Sequence, residues 1–340
     1  MSQIAIIGAG AWGTALSIVL GRKENHRIRL WVHSNEICEA ISSQRLNDRF
    51  LPGCNIPGTV IPTSNLQEAL SGADIVITAM PSHHCRSLFE QMNVYLIPEM
   101  LLVSATKGIE NNSQMCMSTV IRQVVTNASG FEPRIGALSG PSFALEAARG
   151  DPTAITIASE DADLARIVQR EFSGPTFRVY TNEDVIGVEL GGALKNIIAI
   201  AAGICDGLGL GHNSIAALIT RGLAEMTRLV QACGGKAETM SGLAGLGDLV
   251  LTCTGGLSRN RSVGVGLGRG RKLPEILRAM HGMVAEGIST TTAAVALARE
   301  RGVEMPITEQ VHSILYDDKD PREAILQLMT RSGKSEISTL

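Results

Sequence analysis

The first half of the chain alternates short apolar runs with segments whose apolar positions recur at helical spacing. Gln3–Ile7, Arg27–Val32, Asp74–Ala79, Leu101–Ala105, Ile135–Leu138, Ala154–Ala158 and Phe177–Tyr180 read as strands. Ala11–Gly21, His83–Met92 and Ala162–Glu171 lie between them and read as amphipathic helices. Nearly continuous apolar strands alternating with helices specify a mostly parallel sheet covered on both faces. After about Asp184 the pattern changes. Gly187–Asp206, Ser214–Cys233, Leu273–Met280, Ser289–Arg301, Pro306–Tyr316 and Pro321–Arg331 carry helical periodicity, and no strand is evident. The polar tail, Ser332–Leu340, is expected to fray. The expectation is an α/β domain over residues 1–187 followed by an all-α domain over 188–340.

The first strand runs straight into "AIIGAGAWGTAL", residues 5–16. Gly8, Gly10 and Gly13 stand between an apolar strand and an apolar helix, which is the context of a dinucleotide-binding turn and makes the first domain Rossmann-like. Gly8 permits the tight turn, Gly10 lets a pyrophosphate approach the backbone, and Gly13 lets helix and strand pack closely. Amides from about Ala11 to Thr14 then point at phosphate, aided by the helix dipole. Trp12 either caps the sheet as a core aromatic or lies against the cofactor. The second strand ends "LWVHSNE", with His33 and Ser34 where an NAD-specific fold places an acid, and no carboxylate before Glu36. Without that acid the main repulsion against a 2′-phosphate is gone, so NADP(H) is expected to bind, alongside NAD(H). Pro81-Ser82-His83 follows the strand "DIVITAM", either as a cofactor contact or as a plain turn with Ser82 as N-cap.

Several groups capable of chemistry fall at the same strand ends. "VSATKGIE" places Lys107 just past an apolar strand, on the edge where ligands gather. "SGPSFALE" repeats the placement: the Gly140-Pro141 turn frees amides, and Ser142 reads as an N-cap for Phe143–Ala148. "ELGGALKNIIAIAAG" reads as a buried helix, yet carries Glu189, Lys195 and Asn196. A buried lysine is costly unless paired, and burial lowers its pKa toward the range useful for proton transfer. Its partner is either a neighbouring glutamate or Asp248, in "GLAGLGDLVLTCTGGLSRNR" with Thr252, Ser258, Arg259, Asn260 and Arg261. Arg259 offers a planar fork suited to a phosphate dianion.

Composition narrows the partners. The chain has 340 residues, which suits two domains, with 44% hydrophobic and 19% charged positions and a formal net charge of −3. No charge excess points to nucleic acid or an anionic membrane. The apolar stretch around Ile197–Gly209 looks too short and too interrupted by glycine and Asp206 to span a bilayer. With a strand at the very start, no signal or transit peptide is expected. Seven scattered cysteines with no CxxC pair read as free thiols of a cytoplasmic protein, and no ligand-spaced cluster calls for a metal.

"GAGAWGTA", "PSH", "ATKG", "SGPSFA", "ELGGALKNIIAIAAG", "GLAGLGDLVLTC" and "SRNR" together resemble the soluble NAD(P)-dependent glycerol-3-phosphate dehydrogenases of bacterial type, from Ile4 to about Gly302, and "GVEMPITEQV" extends the match. The resemblance implies reduction of dihydroxyacetone phosphate to sn-glycerol 3-phosphate for phospholipid synthesis, in a cleft between a Rossmann and a helical domain. It implies that Lys195 exchanges the proton and that Asp248 orients it. Lys107 would contact substrate and cofactor, Gly140 and Ser142 would hold substrate, and Ala144 would lie against cofactor. Ser258, Arg259 and Asn260 match the substrate-phosphate loop, with Arg259 also near the cofactor. Trp12, His33, Val284 and Glu286 match cofactor positions. Thr252 or Asn196 would align the reacting oxygen. Two departures stand out: Ala11 where the family often has serine, and Trp12 where it carries another aromatic. A homodimer through the helical domain is expected. The competing readings are a hydroxy-acid dehydrogenase of the same architecture, with Ser258–Arg261 clamping a carboxylate, and a non-catalytic NADPH sensor.

Overall fold

The computed structural model describes residues 2–23, 25–280, 283–333, 335 and 336. The tail expectation over 337–340 and "HG" of residues 281–282 therefore lie outside the described residues. Eight strands, β1 (Ser2–Ile7), β2 (His26–Trp31), β3 (Val60–Thr63), β4 (Ile75–Thr78), β5 (Leu101–Ser104), β6 (Arg134–Ser139), β7 (Thr153–Ala158) and β8 (Phe177–Asn182), form one sheet. Its order is β3-β2-β1-β4-β5-β6-β7-β8. Every pair is parallel except β6–β7, which is antiparallel. All seven expected strands are present. β3 was not legible because four residues containing Pro62 show no alternation; as an edge strand it tolerates the missing donor.

Helices α1 (Ala11–Gly21), α2 (Asn35–Gln44), α3 (Leu66–Leu70), α4 (Cys85–Met92), α5 (Met117–Ser129), α6 (Ala144–Arg149) and α7 (Ala162–Phe172) connect the strands. One sheet face packs Ile4, Ile6, Ile75 and Ile77 with α1, and the other packs Ala5, Ile7, Val76 and Leu102 with α4 and α5. β1 has β2 on one side and β4 on the other, so the chain leaves it in opposite directions and a crevice opens at its carboxyl end.

Beyond Asn182 the described elements are helices: α8 (Val185–Gly207), α9 (His212–Ala232), α10 (Ala237–Met240), α11 (Asp248–Thr254), α12 (Arg259–Gly268), α13 (Leu273–Ala279), α14 (Glu286–Glu300), α15 (Pro306–Tyr316) and α16 (Pro321–Met329). α8 is the axis of this half. Within its 23 residues an 18-residue window has a mean hydropathy of 1.6, so by length and composition it could cross a membrane, contrary to the short stretch read from the sequence. Here 89% of its apolar window is buried, which makes it the core helix of the helical half.

α12 escaped the sequence reading because "RNRSVGVGLG" holds three glycines, each costly in a helix. The structure gives those glycines a packing role. A Cβ on Gly264 would stand 2.0 Å from the Ile200 carbonyl oxygen of α8, and one on Gly203 would stand 2.0 Å from that of Arg261. Gly207 and Gly268 repeat the close approach one turn on, at 2.5 Å from the carbonyls of Val265 and Ile204. Backbone therefore lies directly on backbone along an α8–α12 seam. Gly264→Val is expected to cost about 3 kcal/mol or more, because it must push two helices apart rather than fill a void. A lower urea midpoint measures this, and an unchanged midpoint would contradict the seam.

Candidate active site

The glycine turn has the geometry its sequence implies. Gly8 has φ +117°, and a Cβ there would stand 2.7 Å from the Ala79 carbonyl; one on Gly13 would collide with the Gly8 carbonyl at 1.8 Å. A Cβ on Gly10 would meet nothing within 4 Å. That open side lies over the first turn of α1, where Gly10 is the N-cap and no side chain satisfies the amides of Ala11, Trp12 and Gly13. The uncapped amides and open glycine fit a pyrophosphate. Trp12 is half-buried, with one side packed on the α1 face of the sheet core. Sequence reasoning missed Asn47, which is 2% exposed and donates 2.8 Å hydrogen bonds to the Ala9 carbonyl and to Thr14 Oγ1, tying down the turn. Its segment has no periodicity that could have flagged it.

His33 is exposed just past β2, its ring centroid 5.7 Å from that of Trp31. Ser34 N-caps α2 and Glu36 is exposed in that first turn. Ala144 is half-buried against the core beside α1. Pro81 opens a short turn past β4.

The chemistry-bearing groups converge beyond β5, β6 and α8. Lys195, only 6% exposed, places Nζ against Asp248 Oδ1 and donates to Thr252 Oγ1 at 2.8 Å. Lys107 Nζ donates to Asp248 Oδ2 at 2.7 Å and to the Gly140 carbonyl at 3.2 Å. One carboxylate thus holds two ammonium groups, one on each oxygen. An ammonium has three N–H donors, and each lysine uses two here, so one on each is left among the described residues. Burial, opposed by Asp248 and reinforced by Lys107, brings the Lys195 pKa down to about 7. Burial also works against the Asp248 carboxylate, but Lys107 and Lys195 outweigh it and hold its pKa below the usual range. Thr252 Oγ1 donates to the Asp248 carbonyl at 2.6 Å, which leaves its lone pairs for Lys195.

Glu189, the glutamate of α8, does not pair with Lys195. It accepts from the amide and hydroxyl of Ser118 and so caps α5. Burial raises its pKa to about 7.

α12 brings the third cation. Ser258 is its N-cap, accepting from the Arg261 amide at 3.2 Å. Arg259 follows in the first turn. Among the described residues no carboxylate or carbonyl accepts from its guanidinium, although surrounding protein lowers its pKa by desolvation. Asn260 Nδ2 donates to Asn196 Oδ1 and Asn260 Oδ1 accepts from the Gly287 amide, both at 2.9 Å. Asn196 is thereby engaged by α12, next to Lys195. Val284 is half-buried immediately before α14.

Three local expectations are corrected. Ser142 does not N-cap a helix: α6 starts at Ala144 with Phe143 as an N-cap lacking a side-chain bond, and Ser142 Oγ donates to the Gly140 carbonyl at 2.9 Å. Ser82 is not the N-cap of α4, a place taken by His84; its hydroxyl donates to Glu286 Oε2 at 2.7 Å and its amide to Oε1 at 3.3 Å. Arg261 does not join Arg259, because it turns away to Asp206 at 3.1 Å. Partners 204 and 55 residues apart leave no local signal in sequence.

A dinucleotide turn past β1, with Lys107 past β5 joined through Asp248 to the buried Lys195, marks an NAD(P)-dependent oxidoreductase. Residues 3–165 match the family model described as NAD-dependent glycerol-3-phosphate dehydrogenase N-terminus, and residues 184–326 match the model of its C-terminus. The chain belongs to the NAD-dependent glycerol-3-phosphate dehydrogenase family. A relative from Koribacter versatilis, named glycerol-3-phosphate dehydrogenase (NAD(P)+), is 64% identical over 337 residues, 99% of each chain. The crystal structure of glycerol-3-phosphate dehydrogenase from Coxiella burnetii superposes with a TM-score of 0.92 at 42% identity, covering 97% of this chain and 99% of that one. A ketopantoate reductase from Ralstonia eutropha, 16% identical with a TM-score of 0.59 over 95% of this chain and 99% of its own, shares the fold alone.

Proposed function

We propose that the chain reduces dihydroxyacetone phosphate reversibly to sn-glycerol 3-phosphate, with Lys195 exchanging the proton. The observation that carries the reading is one buried carboxylate, Asp248, holding Lys195 and Lys107 with a donor to spare on each among the described residues. In the relatives' names the substrate is glycerol 3-phosphate and the acceptor NAD(P)+. Gly8, Gly10, Gly13 and the amides of Ala11 and Trp12 would hold the cofactor pyrophosphate. His33, Pro81, Ala144, Val284 and Glu286 would line the rest of its path. When bound, the dihydronicotinamide supplies a hydride to the ketone carbon.

The remaining steps belong to side chains of this chain. Arg259, with Ser258 and Asn260, anchors the substrate phosphate, and that remote binding orients the ketone. Lys107, with Gly140 and Ser142, borders the substrate on the sheet side. The free N–H of Lys195 stabilises charge developing on the carbonyl oxygen and then protonates it. Thr252 and Asn196 keep Lys195 and its surroundings in register. The reducible ketone needs Lys195 charged, whereas oxidation of the alcohol needs it neutral. With its pKa at about 7, kcat/KM for reduction is expected to fall as pH rises through about 7, and that for oxidation to rise across the same interval.

Steady-state reduction of dihydroxyacetone phosphate with NADPH and NADH in turn, across pH, tests the reading. Turnover of a β-hydroxy acid in its place, or of no ketone at all, would overturn it in favour of a hydroxy-acid dehydrogenase or a sensor. A division near residue 187, a homodimer through the helical half, a cytoplasmic location and a role in supplying phospholipid backbones complete the proposal. The seven cysteines are all free thiols, in keeping with that location.

A further inference from the structure

Glu286 and Arg259 are brought side by side, yet they do not pair. The Asn260 side chain accepts from the Gly287 amide at 2.9 Å, which fixes the start of α12 against the start of α14 one residue from each partner. Within that arrangement a carboxylate and a guanidinium would ordinarily close an ion pair. Instead both Glu286 oxygens are turned to the β4 loop, where Ser82 meets them with its hydroxyl at 2.7 Å and its amide at 3.3 Å. Ser82 is itself 4% exposed and occupies the space that a side chain at Gly108 would need: a Cβ there would stand 2.5 Å from Ser82 Cβ and 2.6 Å from its Oγ. The glycine thus makes room for the serine to reach the carboxylate.

We propose that Ser82 is a positioning residue that holds the Glu286 carboxylate off Arg259 and so keeps the guanidinium free to receive a phosphate. This rests on the reading of Arg259 as phosphate anchor. A carboxylate released from Ser82 becomes an internal competitor for the arginine, occupying the donors an incoming phosphate dianion needs. Burial raises the Glu286 pKa and lowers that of Arg259, so each charge carries a desolvation cost that a close opposite charge would relieve. His84, which faces Glu286 from the same loop, is the other titratable group in reach.

Inorganic phosphate, as a competitive inhibitor against dihydroxyacetone phosphate, reads the availability of the arginine directly. Ser82→Ala is expected to raise its inhibition constant about tenfold, the worth of one charge-assisted hydrogen-bond set. Adding Glu286→Gln to that variant is expected to return the constant to near the original value, since a neutral amide competes poorly for a guanidinium. A merely structural serine gives the opposite pattern, in which a second lost partner deepens the defect. Arg259→Gln serves as the reference. If it raises the constant while Ser82→Ala leaves it unchanged, or if the double variant is not rescued, the role of Ser82 is refuted and the anchor stands. If Arg259→Gln itself has no effect, the anchor reading fails, and the Ser82 inference with it. Because Glu286 also borders the proposed cofactor path, NADPH affinity is measured by fluorescence in each variant and the phosphate constants are compared at saturating NADPH.

Discussion

Lys195→Ala is expected to lower kcat for ketone reduction about a thousandfold while leaving NADPH binding near its original strength. In the proposed mechanism the lysine supplies both the charge that stabilises the developing alkoxide and the proton that quenches it, and each contribution is worth orders of magnitude in rate. The fold should survive the change. Asp248 is 1% exposed and would be ruinous as an unpaired anion, but it keeps Lys107 at 2.7 Å on its other oxygen. The loss should therefore appear in kcat rather than in yield or melting. Steady-state kinetics paired with NADPH fluorescence titration makes the measurement, and near-original turnover would remove Lys195 as proton donor.

Asp248→Asn is expected to be worse for the protein as a whole. It strips the anion from two ammonium groups at once, one of them 6% exposed. Removing one side of a buried ion pair costs about 3–5 kcal/mol, because the remaining charge stays desolvated. The chain can relieve that cost by releasing the Lys195 proton. Asp248 is what raises the Lys195 pKa against burial, so without it the value drops further below the ordinary range. Two readouts follow: a markedly lower urea midpoint, and a reduction limb displaced to lower pH than in the original protein. An unaltered pH profile with unaltered stability would show that Asp248 does not govern the lysine.

The contrast between these residues and Ser82 marks where sequence legibility ends. Gly8, Gly10 and Gly13 are readable because strand, turn and helix are contiguous, and the turn geometry depends on neighbours a few residues away. Lys195 is readable because an apolar helix makes a charge conspicuous, and Asp248 because it too is stranded among apolar and glycine residues. Ser82 and Asn47 carry ordinary polar side chains in ordinary loops, and their significance depends on Glu286 and on the Ala9 carbonyl, both distant in sequence. α12 was hidden for a different reason. Intrinsic propensity argues against a glycine-rich helix, and tertiary packing overrides it. α8 itself was legible to within two residues at either end; only its capacity to span a bilayer was misjudged, because the glycines and Asp206 near its end were read as interruptions, although Gly203 and Gly207 face α12.

That glycine contact has a further consequence. Lys195 and Asn196 ride on α8, while Ser258, Arg259 and Asn260 ride on the first turn of α12. The spacing between the proposed proton donor and the proposed phosphate anchor is therefore set by backbone touching backbone, with no compliant side chain at those contacts. The pair of helices acts as a caliper. Its jaws are locked at one opening, and any methyl group added at Gly203 or Gly264 would widen it.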